Sequence, residues 1–469
     1  MSEFVKPLMT RQKVQLADGD VLPPGPPLPA FVQTPLLWLA RPSWLRLLAR
    51  RYGRTFTLKD TMAGRIVVLA DPVDVKALFT GSPDVFLAGE GNTLLGPIVG
   101  EHSVLLLDRE EHLRERKLQL PAFHGERIAR TVGLMRELTE AEVRTWPVGE
   151  PFALHERTRA LTLEIIIRVV LGVEDDERAR RLHDALRAAV EFRPSYFLLW
   201  VAPALRHVGR WKRFLAGIEA ADELLFAEIA ERRAVAGRAD RGDVLSMLLD
   251  AHDEAGTPVD DRWVRDELMT LLVAGHETTA TGLAWAFERL LRHPEALARV
   301  RAGLDDPRDP YVDAVVKETL RVRPVIQNVA RVLARRTRVA GYDMPQGTLL
   351  LPSIALMHES DAHFPEAAAF RPERWLEGSG EPYTWIPFGG GVRRCLGATF
   401  ALTEMAEVLR TVLREVEIEA VGEPEAAHMH HITLVPARGA QVRVRARRDR
   451  AQAADGAGAA PAPTPLATA

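Results

Sequence analysis

The chain has 469 residues, 47% of them hydrophobic, which is ample to bury a large core. Its 61 Lys and Arg against 64 Asp and Glu leave a formal charge of −3, a balance that calls for neither nucleic acid nor an acidic partner. The single cysteine excludes an internal disulfide and fits a reducing compartment.

The N-terminal stretch has no apolar core of signal-peptide type. Pro35-Leu36-Leu37-Trp38-Leu39-Ala40 is far short of the roughly 20 apolar residues that a membrane span needs. The chain therefore reads as soluble and cytoplasmic, with no transmembrane anchor, and as a monomer. Pro23-Pro24-Gly25-Pro26-Pro27 cannot continue a helix or a central strand, so it reads as a stiff extended lead-in. Thr55–Leu58 and Arg65–Leu69 are strand-like, with a turn at Thr61-Met62-Ala63-Gly64.

Helical composition and spacing follow over Arg127–Trp146, Leu161–Leu171, Ala179–Val190 and Arg210–Ala236. Asp261–Arg292 is longer, about 45–50 Å at helical rise. Leu268, Leu271, Leu272, Leu283, Trp285, Ala286 and Leu290 leave it apolar on most sides, as a buried central helix. Within it lies Ala274-Gly275-His276-Glu277-Thr278-Thr279, an odd composition for pure packing. Gly275 costs the helix about 1 kcal/mol. Threonine hydroxyls there can bond back to carbonyls and bend the helix. His276 reads as a helix-face residue rather than a ligand.

Glu318 and Arg321 stand at i, i+3 on one helix face, where they can pair. Alone, that is an ordinary surface ion pair. Arg338-Val339, Leu349–Leu351 and Val442–Val444 are the remaining strand-like pieces. His428, His430 and His431 lack cysteine partners at metal-site spacing and read as a surface turn. Ala451–Ala469 is almost all small residues and proline and reads as disordered. The division that results is an N-terminal flexible arm over 1–22, one continuous domain over 23–447 and an Ala/Pro-rich tail over 448–469. The architecture is mainly α with a minor peripheral sheet.

The segment Phe388-Gly389-Gly390-Gly391-Val392-Arg393-Arg394-Cys395-Leu396-Gly397 says most. Its consecutive glycines allow a tight turn and close approach to a flat ligand. A good helix former run from Ala398 puts Cys395 just ahead of a helix N-terminus, where the dipole, with Arg393 and Arg394, would stabilise a thiolate. Phe388 could shield the sulfur. Taken alone, a lone cysteine is more often a small buried hydrophobe. A phosphate loop fails because no Lys-Ser/Thr pair follows the glycines.

The phenylalanine, glycine, arginine, cysteine and glycine at 388, 391, 393, 395 and 397 resemble the haem-binding signature of the cytochrome P450 superfamily. Other motifs of that family stand in order along the chain. Phe370-Arg371-Pro372-Glu373-Arg374-Trp375 is similar to the element whose arginine, here Arg374, joins Glu318 and Arg321 in a buried structural network. The resemblance makes Cys395 the metal ligand of haem b. It makes His112, Arg116, Arg331 and Arg393 the partners of the haem propionates, with Ala274, Phe388, Gly389 and Gly397 also against the cofactor. It implies that Glu277 and Thr278 are catalytic: Thr278 hydrogen-bonds dioxygen or a water beside it, and Glu277 helps relay protons.

By the same resemblance the protein is a monooxygenase that inserts one atom of O2 into a small hydrophobic substrate, fatty-acid or terpenoid/steroid-like. Electrons come from a separate ferredoxin or flavodoxin with an NAD(P)H-dependent reductase, and no reductase is fused. Arg114, Lys117, Arg127, Arg130 and Arg394 form either a docking face for that protein or a solvated helix face. The substrate walls include Phe86, Leu94, Leu95, Phe192, Tyr196, Phe197, Val325, Ile326 and Ile432. Rival readings are a peroxide-driven peroxygenase, which would not need the Glu277-Thr278 pair, and a non-catalytic haem-binding protein.

Overall fold

The computed structural model describes residues 19–448 other than 40, 124, 191–206, 236, 238–240, 253–255, 307, 379 and 431. The tail beyond 448, residues 1–18, and Phe192, Tyr196 and Phe197 lie outside the described residues, and so does the side chain of Leu94.

The proline-rich lead-in lies along the first strand. Thr57 N donates to Pro24 O at 2.9 Å and Thr57 Oγ1 to Pro23 O at 2.7 Å. Only glycine fits at 25, where a Cβ would stand 1.9 Å from Thr57 O. Just upstream, Val21 N donates to Asp343 O at 2.9 Å.

Thr55–Asp60 and Gly64–Leu69 pair antiparallel about the turn, whose amides at Met62 and Ala63 donate to Asp60 Oδ1 at 2.8 and 2.7 Å. The second strand pairs parallel with Leu349–Pro352, which pairs antiparallel with Arg331–Leu333, which pairs antiparallel with Phe86–Leu87. This five-stranded sheet places Arg331 on a strand in the fold's interior. Smaller assemblies join Pro151–Ala153, Gln441–Arg447 and Val416–Ala420, and two hairpins, Thr337–Val339 with Tyr342–Met344 and Ala427–His430 with Thr433–Pro436. Several of these strands are three or four residues long, too short to show a period-2 pattern, so the sequence reading missed them.

The remaining body is helical and packs on one axis. The central helix, Asp261–Leu291, is 31 residues long and starts at Asp260, whose carboxylate accepts from Trp263 N at 2.7 Å. Its mid-section packs on Leu154–Leu171. At Gly275 a Cβ would stand 3.0 Å from Ile166 Cδ1, so glycine sets how close the two helices come. The helix also carries more polar groups inside than its sequence suggests: Arg265, Asp266, Glu267, Thr270 and Glu288 are all buried and bonded.

Candidate active site

Cys395 sits between a turn and a helix. Its N–H donates to Phe388 O at 3.0 Å, and Ala398–Glu415 begins three residues on. The residue retains accessible surface, and desolvation by the groups around it still dominates its electrostatics. Burial pushes the thiol above its ordinary value; the Gly397 N–H and the guanidinia of Arg116 and Arg394 pull the other way without cancelling it. Arg116 and Arg394, not Arg393, supply the positive charge at the sulfur.

Two of the three glycines also have a neighbour within the fold. Gly391 has φ +64°, and a Cβ on it would stand 1.8 Å from Phe79 O; one on Gly390 would stand 2.4 Å from the Phe79 ring. The loop thus presses on the helix Pro72–Thr80, while Gly389, at φ +66°, meets nothing within 4 Å. On the other side Phe388 continues a file of rings: Phe388 to Trp385 at 6.1 Å, Trp385 to Trp375 at 5.4 Å, Trp375 to Phe364 at 6.1 Å.

That file ends on an ion network whose central pair is fully buried. Arg321 pairs with Glu318 through Nε at 2.9 Å and a terminal nitrogen at 2.7 Å, both side chains fully buried. Its guanidinium also donates to His358 O, Ala367 O and Ala369 O at 3.0, 2.7 and 2.8 Å. Arg374 Nε reaches Glu318 at 3.1 Å, and Trp375 Nε1 donates to it at 2.9 Å. The indoles are what sequence reasoning missed. Trp375 lay beside Arg374 in a quoted segment, and two tryptophans just before a glycine loop were an available signal.

Four cationic or potentially cationic residues distant in sequence converge on one interior corner. His112 and Arg116 come from the helix Arg109–Gln119, Arg331 from the sheet and Arg393 from the cysteine loop. Burial, then Arg393, Arg116 and Arg331, hold His112 at about 3, so it is neutral. Burial and Arg393 lower Arg331 to about 10. Arg331 is 7% exposed and has no carboxylate at ion-pair distance among the described residues. His112 Nδ1 is buried with no hydrogen-bond partner. Arg393 differs: it pairs with Asp108 at 2.7 Å and donates to Val104 O at 3.2 Å. Asp108 also accepts from the amides of Ala88, Gly89 and Glu90 at 2.7, 2.8 and 3.0 Å. It was not singled out from sequence, although Asp108 with Glu111 three residues later is a helix-start signature.

A desolvated corner with excess positive charge and an orphaned imidazole nitrogen is incomplete without an anion. Two carboxylates on a flat group, held beside the lone thiol, match this donor set, so the residues fit haem.

On the central helix, Thr278 Oγ1 donates to Ala274 O at 2.6 Å. Ala274 is exposed in the middle of an otherwise buried helix. His276 is 2% exposed and held neutral, at about 3, by burial first. Glu277 is not isolated. Its carboxylate lies 2.8 Å from Arg159 Nε, 3.6 Å from His155 Nε2 and 3.9 Å from His430 Nδ1. Of the histidine run, His431 lies outside the described residues, His428 is exposed, and His430 faces Glu277. His428 and His430 lie on the strand Ala427–His430, and the hairpin brings His430 to the central helix.

Of the expected substrate walls, Val325 and Ile326 meet the same hairpin: Leu434 N donates to Val325 O at 2.8 Å, and Ile326 bridges Thr433. Ile432, at the hairpin tip, is 52% exposed, and Leu95 packs on the main core. Phe86 is placed otherwise. It pairs with Leu333 on the sheet, and its ring covers Gly81, where a Cβ would stand 2.3 Å away. It packs against the smaller core, as Ile326 does.

Comparison with known proteins agrees with this geometry. The family model described as Cytochrome P450 matches residues 23–444. The chain is 44% identical over 429 residues to "Putative cytochrome P450 135B1" of Mycobacterium tuberculosis, covering 90% of this chain and 91% of that one. It is 42% identical over 403 residues to "Putative cytochrome P450 137" of the same organism, covering 85% and 84%. Among solved structures, it is similar to a cytochrome P450DA haem domain, with TM-score 0.77, 26% identity and coverage of 91% and 98%. A retinoic acid-bound cyanobacterial CYP120A1 shares the fold, with TM-score 0.79 at 21% identity over 90% and 99%.

Proposed function

The chain belongs to the cytochrome P450 family and is a haem-thiolate monooxygenase, and we propose that it oxidises a small hydrophobic substrate, fatty-acid or terpenoid/steroid-like, using haem b. When bound, the haem supplies activation of O2 by two electrons and two protons, one oxygen atom going into the substrate and the other into water. Cys395 would hold its iron, and Arg116, Arg331, Arg393 and neutral His112 would bind its carboxylates. The observation that carries this reading is the convergence of these residues on one buried, positively charged corner beside the only thiol.

Thr278 holds a proton at Oγ1, donated to Ala274 O until a ligand accepts it. Glu277, one residue earlier, is the acid that replaces it. The substrate reading is supported by apolar Val325, Ile326 and Ile432 at the hairpin, and by Leu95 on the main core. Electrons come from a ferredoxin or flavodoxin with an NAD(P)H-dependent reductase. Arg114, Lys117, Arg130 and Arg394 are exposed cations, the apolar Leu113, Leu120 and Val392 are exposed close to them in sequence, and we assign them to an acidic electron-transfer partner. No helix among the described residues is long and apolar enough to cross a membrane; a cytoplasmic monomer is part of the same proposal.

The test is spectroscopic. Reduced protein under carbon monoxide is expected to absorb near 450 nm, as the family resemblance implies. A band typical of histidine-ligated haem would overturn the assignment. A ligand-shift screen across fatty acids, terpenoids and steroids then tests substrate class, and turnover with a surrogate redox pair against peroxide alone tests the oxidant. Thr278→Ala is expected to divert electrons from product to peroxide or water, lowering coupling about 10-fold or more. Unchanged coupling would remove Thr278 from the mechanism.

A further inference from the structure

We propose that His430 is the residue through which protons pass from solvent to Glu277. The inference rests on the reading of Glu277 as the proton-relay acid.

The geometry carries it. Glu277 is mostly buried, its carboxylate side chain 19% accessible. Three side chains approach it from two other elements: His155 and Arg159 from Leu154–Leu171, and His430 from the hairpin. On its own helix, Thr281 Oγ1 lies 3.1 Å from His155 Nε2, and His276 faces the neighbouring helix, where its carbonyl accepts from Thr162. Each group can be asked whether it moves a proton. Arg159 keeps its proton at any relevant pH, so it can only hold the carboxylate. His155 is 9% exposed and kept neutral, at about 3, first by burial and then by Arg159 and His430. It cannot collect a proton from water near neutral pH. His276 is neutral for the same first reason.

His430 alone of these spans the boundary. Its Nδ1 is buried and faces Glu277 Oε1 at 3.9 Å, yet its side chain is 42% accessible. One ring edge is inside and the other meets solvent. Its position is fixed by the hairpin: Thr433 Oγ1 donates to His430 O at 2.8 Å, and Trp285 Nε1 of the central helix donates to Leu434 O at 2.6 Å. Imidazole changes charge within the physiological range, as a proton carrier must.

The step balances simply. Imidazolium Nδ1–H passes its proton to Glu277 Oε1, giving neutral imidazole and a carboxylic acid. Nε2 keeps its proton throughout; the ring turns outward about its Cβ–Cγ bond, the bare Nδ1 takes a proton from solvent hydronium, and the ring turns back. Glu277 passes its proton on toward Thr278 and returns to the carboxylate paired with Arg159. A closure of about 1 Å between Nδ1 and Oε1, or one intervening water, completes the contact.

Two measurements on the full-length haem-loaded protein test this. First, the His430 midpoint is read by NMR of histidine-labelled protein in the diamagnetic reduced carbon monoxide complex, its signal assigned by loss in His430→Gln. A nearby carboxylate favours imidazolium, so Glu277→Gln is expected to lower the midpoint by about half a pH unit or more. An unmoved midpoint overturns the proposal. Second, NADPH consumption with a surrogate ferredoxin pair is followed from pH 6 to 9, in H2O and D2O, with no added substrate. His430→Gln is expected to slow it several-fold above the wild-type midpoint and to abolish the inflection there. A wild-type profile in His430→Gln, when Glu277→Gln alters that profile, overturns the role of His430 alone. If Glu277→Gln itself leaves rate and profile unchanged, the relay reading of Glu277 fails, and this inference with it. The 450 nm band of each variant reports an intact fold.

Discussion

Cys395→Ser is expected to abolish the 450 nm band of the reduced carbon monoxide complex and all turnover driven by O2 and electrons. The chain has no second cysteine to substitute. The corner around position 395 offers only neutral His112 and arginines, and arginine cannot ligate iron because it does not give up its proton. A serine oxygen is a harder ligand that donates less electron density, so the band should move well to the blue even if haem stays bound. Haem should stay bound because the proposed carboxylate-binding residues lie elsewhere, on Arg109–Gln119 and Arg331–Leu333. The measurement is an optical titration of haem into Cys395→Ser beside wild type. A band still near 450 nm in the variant would show that the ligand is another residue and would end the assignment.

Arg321→Leu should be the most damaging substitution outside the haem contacts. The guanidinium meets Glu318 through two bonds and three backbone carbonyls, those of His358, Ala367 and Ala369. Removing one member of a buried pair costs about 3–5 kcal/mol, because the other charge stays buried. Here Glu318 would keep Arg374, Trp375 Nε1 and the Arg371 amide, which softens the loss. The orphaned carbonyls work in the opposite direction. A whole domain has only about 5–15 kcal/mol to lose. The loss should also reach the cysteine, since the ring file from Phe364 through Trp375 and Trp385 ends on Phe388, whose carbonyl holds Cys395 N. Urea unfolding of the purified variant and its haem content should therefore fall together. A loss under about 1 kcal/mol would mean that the network is not what seats the loop.

Some features were legible in the sequence because they are local. A helix start needs one acid at the right place, and a turn needs glycine at a few positions. The long central helix, the first hairpin and the Glu318–Arg321 pair follow from spacing alone. The order of the motifs around Cys395 then pointed to one family, whose member this chain is. Features depending on contacts between distant segments were hidden. Nothing in the spacing of the histidines at 428 and 430 says that a four-residue strand carries one of them to Glu277. Nothing near Phe86 says that its ring covers Gly81.

The sequence by itself determined the helix-rich class, from residue type and short-range periodicity, and the family, from the order of its motifs; the proposed iron ligand and acid–alcohol pair follow from that family likeness. Only the tertiary structure decided what those residues face. It set Arg393 against Asp108, packed the glycines on Phe79, raised rather than lowered the thiol, and gave Glu277 an arginine and two histidines as neighbours. The physical reason is that charge state and packing depend on desolvation and on partners hundreds of residues away, and neither quantity exists until the chain is folded.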